Sequence, residues 1–180
     1  MMQDFSTKAK PSNNNARIIM SLFLAFAAVT AVVSMLFDYF SGLISILTVA
    51  LISGAVVIYT RYVACEYYYD LTTDHAGDQI FVVRQVTGKR ETTLARVSLS
   101  EVCKVECENS ATAKSHRTPA GFKKYFYTPT LMPETICRLT VVGRYESSEI
   151  VIECSDEYAD VLSNLSKEAS ASIVKPDVAL

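Results

Sequence analysis

The chain has 180 residues, half of them hydrophobic, and a formal charge of −2. That charge averages two unlike regions: +2 up to Arg61, and −4 from Ala64 onward, where 13 basic residues face 17 acidic ones. The acidic C-terminal region has no global attraction for nucleic acid, which excludes nucleic acid as a partner and leaves anionic lipid only a local patch to bind.

Residues 1–16 are polar and end in an asparagine-rich run after Pro11, which predicts a disordered cytoplasmic tail. Residues 18–37 then hold 20 positions without a charge, and residues 39–60 form a second run that is equally uncharged. At about 1.5 Å per residue, 20 helical residues span ~30 Å, the thickness of a bilayer's hydrocarbon core. Asp38, with Tyr39 and Phe40 beside it and Ser41-Gly42 after it, separates the two runs. The pattern predicts a transmembrane helical hairpin over residues 17–62, with helices at about 18–37 and 42–60. A secretory signal peptide is the rival for the first run, but that run exceeds the roughly 7–15 residues of such a core, and no small-residue cleavage site precedes a polar segment.

Lys8, Lys10 and Arg17 flank the first helix and Arg61 follows the second, whereas the connecting turn carries only Asp38. The positive-inside rule therefore places both termini in the cytoplasm of a two-helix cell-membrane protein. Tyr39, Phe40, Tyr59 and Tyr62 stand where aromatic residues mark the interfaces. Ala27 with Ala31, and Ala50 with Gly54, are small residues at helical spacing that would let the helices approach closely. No Asp, Glu, Lys, Arg or His lies inside either span, which argues against a transporter or an intramembrane protease.

From Glu66 the periodicity changes to two. Strands are predicted at residues 67–73, 79–86, 90–99, 102–108, 122–128, 136–142 and 149–154, with turn clusters between them. Residues 109–121 read as a long loop. Ser155 can cap a helix that begins with Asp156 and Glu157. Tyr158, Val161, Leu162 and Leu165 give that helix one apolar face; it ends near Ala169, and residues 170–180 read as a flexible tail.

Seven short antiparallel strands closed by an amphipathic C-terminal helix, behind a two-helix hairpin, resemble the small bacterial membrane-anchored pleckstrin-homology-like (PH-like) proteins. The residues that carry the resemblance are Tyr67 to Asp74 as first strand, Gly88-Lys89-Arg90 as a hairpin turn, Val97 to Val102 leading into the fourth strand, Lys124-Tyr125-Phe126-Tyr127, and Ile150 to Glu153 followed by the Ser155 to Leu165 helix. The resemblance implies an α+β membrane protein in which residues 66–169 form a PH-like seven-stranded antiparallel β-barrel or sandwich capped by a C-terminal α-helix. It also implies a non-enzymatic binding or scaffolding role. Phosphoinositide-binding PH domains carry Lys and Arg in and beside the first hairpin loop; here that loop is Asp74 to Asp78, with two acids and no Lys or Arg.

The basic alternative is residues 109–133, which hold Lys114, Arg117, Lys123 and Lys124 and no acid. Such a segment can touch anionic headgroups, at ~1 kcal/mol per basic residue, or remain a solvated loop. Tyr125, Phe126 and Tyr127 beside the two lysines either form a contact surface for a protein partner or place alternate rings in the core. The candidate contact residues are thus Lys114, Arg117, Lys123, Lys124, Tyr125 and Tyr127. The five cysteines show no zinc-finger spacing and read as free, small, buried hydrophobes. No metal, cofactor or catalytic residue is expected: there is no Walker A, GxSxG, HExxH or Rossmann glycine pattern. The expected function is a binding or scaffolding module at the cytoplasmic face that recognises a protein partner. The alternative is a regulatory or sensor subunit whose hairpin contacts a larger membrane complex.

Overall fold

The computed structural model describes residues 5–11, 13–36, 41–109, 118–143 and 146–173. The Asp38 turn, with Tyr39 and Phe40, lies outside them, as do Lys114 and Arg117.

Helices α1 (Asn15–Leu36) and α2 (Ser41–Ile58) pack against each other, and α2 runs on through one wide turn, Tyr59–Val63. Each is long and apolar enough to cross a bilayer, and only 6% of each span is buried within the chain. Small residues punctuate their seam. Ala27 and Ala55 are buried, Gly54 passes under Phe23, and the Thr30 and Thr48 hydroxyls hydrogen-bond across it at 2.8 Å. Ala50 is exposed, contrary to expectation. The seam of α2 follows Ile44, Thr48, Leu51, Ala55 and Ile58, and position 50 falls off that 3.5-residue stripe.

The hairpin is interposed between two neighbouring strands. Residues read as a disordered tail form strand β1 (Phe5–Lys8), which pairs antiparallel with β2 (Cys65–Thr73) from Phe5↔Leu71 to Lys8↔Tyr68. Four residues carry no legible periodicity alone; their order comes from the free edge of β2. It is reinforced by the Lys8–Glu66 ion pair at 2.7 Å, the Ala9 N–H donating to the Tyr67 carbonyl, and Phe5 stacked on Tyr158 at 5.8 Å. The first sheet continues through β3 (Gln79–Thr87) and β4 (Arg90–Ser98) in the order β1-β2-β3-β4. Gly88, at φ 60°, supplies the positive φ of the tight β3–β4 turn.

The second sheet holds β5 (Val102–Asn109), β6 (Lys123–Tyr127), β7 (Thr135–Val142) and β8 (Ser147–Ile152) in the order β5-β7-β8-β6. The architecture is mixed α+β, as expected, but the seven-stranded antiparallel barrel is corrected in three respects. Eight strands are present among the described residues, β6 runs parallel to β8, and the two four-stranded sheets stay open rather than closing. β6 lies at the far edge beyond β8 and runs in the same direction as β5, so its pairing with β8 is parallel.

Inward-facing Tyr69, Phe81, Val83, Leu139, Ile150 and Ile152 form one core with Tyr158 and Leu162 of α3 (Asp156–Ile173). The Ser155 hydroxyl accepts the Tyr158 N–H at 3.4 Å as the expected cap, and α3 extends past Ala169. Val161, placed on the apolar face from sequence, is exposed. The reading of five free cysteines is also corrected: Cys107 and Cys137, directly opposite each other on β5 and β7, are joined by a disulfide.

Candidate functional site

β6 is one of the two edge strands of the second sheet, and four of the six predicted contact residues sit on it. The parallel register sets Lys124 opposite Glu149 and brings the turn before β8 alongside Lys123. Lys123 Nζ lies 3.0 Å from Glu146 and Lys124 Nζ 3.3 Å from Glu149. The hydrogen bond between the first pair raises the Lys123 ammonium and holds the Glu146 carboxyl below its ordinary range. Both cations are therefore neutralised by carboxylates more than twenty residues away in sequence, a pairing no local scan of residues 109–133 reveals.

Glu149 also belongs to a charge ladder that crosses all four strands of the second sheet. Glu108 on β5 meets Arg138 on β7 at 3.8 Å, Arg138 meets Glu149 on β8 at 3.7 Å, and Glu149 meets Lys124 on β6. Arg138 and Glu149 are only 3% and 2% exposed, so their charges face each other with little water between them.

The rings of β6 divide between the two expected roles. Tyr127 is half-buried: its hydroxyl donates to the Leu94 carbonyl on β4 at 3.3 Å, and burial pushes its phenol up. Its own carbonyl accepts from the Tyr69 hydroxyl at 2.6 Å, and that hydroxyl in turn accepts the Glu153 N–H at 3.3 Å. One buried tyrosine thus ties β6 to β2 and to the end of β8. Tyr125 stacks on Tyr127 at 6.1 Å and lies on the rim, while Phe126 faces the other side beneath the Lys124 ammonium and is 50% exposed. Among the described residues, β6 thus presents an outer strand edge with exposed rings and with both of its lysines paired.

A second basic cluster gathers where the helices meet the sheet. Because Cys65 opens β2 opposite Thr87, the β3–β4 turn with Lys89 and Arg90 stands at the same end as Lys10, Arg17 and Arg61. Of the carboxylates nearby, Glu66 pairs with Lys8 and Glu91 with Arg84, while Glu134 lines one cavity with Lys10.

The structure also assembles three cysteines that sequence spacing kept apart. Cys137 faces Cys107 across β5 and β7 and faces Ile152 across β7 and β8; Cys154, two residues beyond Ile152, returns to the same face. Its Sγ lies 2.9 Å from that of Cys137, and all three sulfurs lie within 4.8 Å of one another. Burial, with Asp156 and Glu153 adding to it, pushes the Cys154 thiol up to about 12. Cys154 also lines a cavity of about 350 Å³ walled by Thr7 and Lys10 on the β1 side and by Glu134 and Tyr158 opposite. The only signal in the sequence was residue parity along predicted strands, which puts Cys107, Cys137 and Cys154 on inward faces once the strand order is known.

Comparison with protein-family models, with curated proteins and with solved structures found no match.

Proposed function

We propose that this chain is a membrane-anchored binding module: a transmembrane hairpin that holds a PH-like sandwich against the cytoplasmic face, where it recognises a protein partner. The observation that carries the reading is the contrast between the two halves. The sandwich closes its own core, whereas α1 and α2 expose apolar side chains all round, from Ile18, Phe26 and Met35 to Leu43, Ile46 and Val57. A helix apolar on every side has lipid as its natural solvent. The cluster of Lys10, Arg17, Arg61, Lys89 and Arg90 at the base of the hairpin supports a cytoplasmic orientation, each contributing ~1 kcal/mol beside an anionic leaflet.

Recognition is assigned to β6. An extended segment of a partner protein would add as a strand to its open edge, with Tyr125 and Phe126 as aromatic anchors. The sensor reading has its own support: the hairpin sits inside the β1–β2 ladder, so a change in helix spacing acts directly on two adjacent strands.

Photocrosslinking from position 126 in native membranes, on the full chain and on a chain with an unrelated hairpin, tests the assignment. Protein adducts that survive the hairpin swap are expected. Adducts lost with the native hairpin would move recognition to the helices, and adducts to lipid alone would contradict a protein partner.

A further inference from the structure

We propose that Cys107, Cys137 and Cys154 form a thiol–disulfide exchange site that takes a small amino-acid-derived thiol onto Cys154 through the adjoining cavity. Three adjacent strand segments converge their sulfurs, and Cys137, fully buried, is the shared centre: bonded to Cys107 on one side and 2.9 Å from Cys154 on the other. Attack by a thiolate on a disulfide sulfur is the elementary step of exchange, and its first requirement is this proximity.

The first step is internal. Cys154 gives its proton to hydroxide that enters the cavity, a step that quickens as pH rises because burial holds the thiol up, and the thiolate then attacks Cys137 Sγ. The Cys107–Cys137 bond breaks, and Cys107 leaves with the electron pair and takes up a proton. One disulfide is exchanged for another without net oxidation. The second step uses an external thiol, RSH. Its thiolate attacks Cys154 Sγ, the Cys137–Cys154 bond breaks, and Cys137 leaves as a thiolate that is then protonated. The sum is one protein disulfide plus RSH giving a mixed disulfide on Cys154 and two free thiols, at Cys107 and Cys137.

The cavity suits this cargo. Its volume of about 350 Å³ admits a small thiol, and Lys10 and Glu134 offer charges of both signs to an ammonium and a carboxylate. Cys154 is the one cysteine of the three on its wall. A cytoplasmic location, which rests on the reading above, agrees with this role, since disulfides there are chiefly transient and redox-active. The exchange geometry itself does not depend on that location.

The test uses the full chain in detergent micelles, carrying Cys103→Ser to silence the exposed free thiol, with peptide mapping by mass spectrometry after acid quenching and alkylation. Before thiol addition the chain is expected to hold Cys107–Cys137; with Cys107→Ser added, mild oxidation by diamide is expected to form Cys137–Cys154 instead. Treatment with reduced glutathione should place the adduct on Cys154, with Cys107 and Cys137 both free, and Cys154→Ser should slow adduct formation at least tenfold. An adduct on Cys107 or Cys137 with Cys154 untouched would overturn the proposal. So would three free thiols after mild oxidation by diamide, or a natively folded Cys107→Ser chain that lacks the Cys137–Cys154 bond. The adduct map of the chain with all three cysteines decides even where Cys107→Ser fails to fold.

Discussion

Replacing Tyr69 by phenylalanine isolates the contribution of a single oxygen. The ring of Tyr69 is fully buried, in contact with Phe81 and Tyr158, and phenylalanine preserves that packing. What disappears is the hydroxyl that donates to the Tyr127 carbonyl at 2.6 Å and accepts the Glu153 N–H at 3.3 Å. Each of the two bonds contributes about 1 kcal/mol net, and a buried partner left unsatisfied adds ~1–3 kcal/mol, so the loss comes to roughly 3–5 kcal/mol. For a domain slightly above 100 residues this lowers Tm by about 12–20 °C, taking ~4 °C per kcal/mol. Thermal unfolding of the full chain in micelles, followed by near-ultraviolet circular dichroism of the tyrosines, reads the change. Because the Tyr127 carbonyl is on β6, amide exchange in residues 123–127 should accelerate more than exchange in β3. A Tm drop below about 3 °C, or uniform acceleration, would refute the role of Tyr69 as the tie between β6 and the core.

The charge ladder predicts an asymmetry: Glu149→Gln, which strips charge from beside buried Arg138, should cost about 3–5 kcal/mol in urea titration, whereas Lys124→Met, at the half-buried end and with Arg138 still beside Glu149, should cost about 1 kcal/mol. Similar losses for both would contradict the ladder. In the hairpin, a Cβ at Gly54 would lie 2.8 Å from Phe23 Cε1, so Gly54→Ile should push the helices apart. Oxidative crosslinking of a Thr30→Cys, Thr48→Cys pair should then slow several-fold, and an unchanged rate would sink that packing. The Cys154 thiol, raised from 9.0 to about 12 mainly by burial, stays protonated at neutral pH. Its alkylation by iodoacetamide in the Cys107→Ser, Cys137→Ser double variant should rise about tenfold per pH unit between pH 7 and 10. A raised pKa means that its contribution to stability is complete below pH 9.0 and is lost as pH climbs toward about 12. A rate that levels off by pH 8 would contradict the burial.

Much of this architecture was legible because it is written in local pattern. Long uncharged runs, two-residue alternation from Glu66 and the Ser155-Asp156-Glu157 helix start each reflect forces acting within a dozen residues. What escaped is what only a distant partner creates. Phe5–Lys8 becomes a strand because β2 offers an edge more than fifty residues later, so a fragment starting at Ala64 would lack a strand of its own sheet. Lys123 and Lys124 looked like free cations because Glu146 and Glu149 reach them only through a parallel pairing that strand count could not foresee. Placing glutamate at Lys124 would therefore set a carboxylate against buried Glu149 and damage the fold, which makes position 126 the cleaner probe of binding. The cysteines were misjudged for the same reason: spacing along the chain says nothing about three strands meeting at one sulfur.

Sidedness of labelling tests the anchor most directly. Cys103 is an exposed thiol on the sandwich, and a cysteine introduced at position 38 lies between the two helices in sequence. In a Cys103→Ser background, a membrane-impermeant maleimide should label Asp38→Cys in intact cells. In the chain with aspartate at 38, the same reagent should label Cys103 only after the membrane is opened. Labelling of Cys103 in intact cells, or release of the chain from membranes by alkaline carbonate, would contradict a hairpin that spans the bilayer with the sandwich inside.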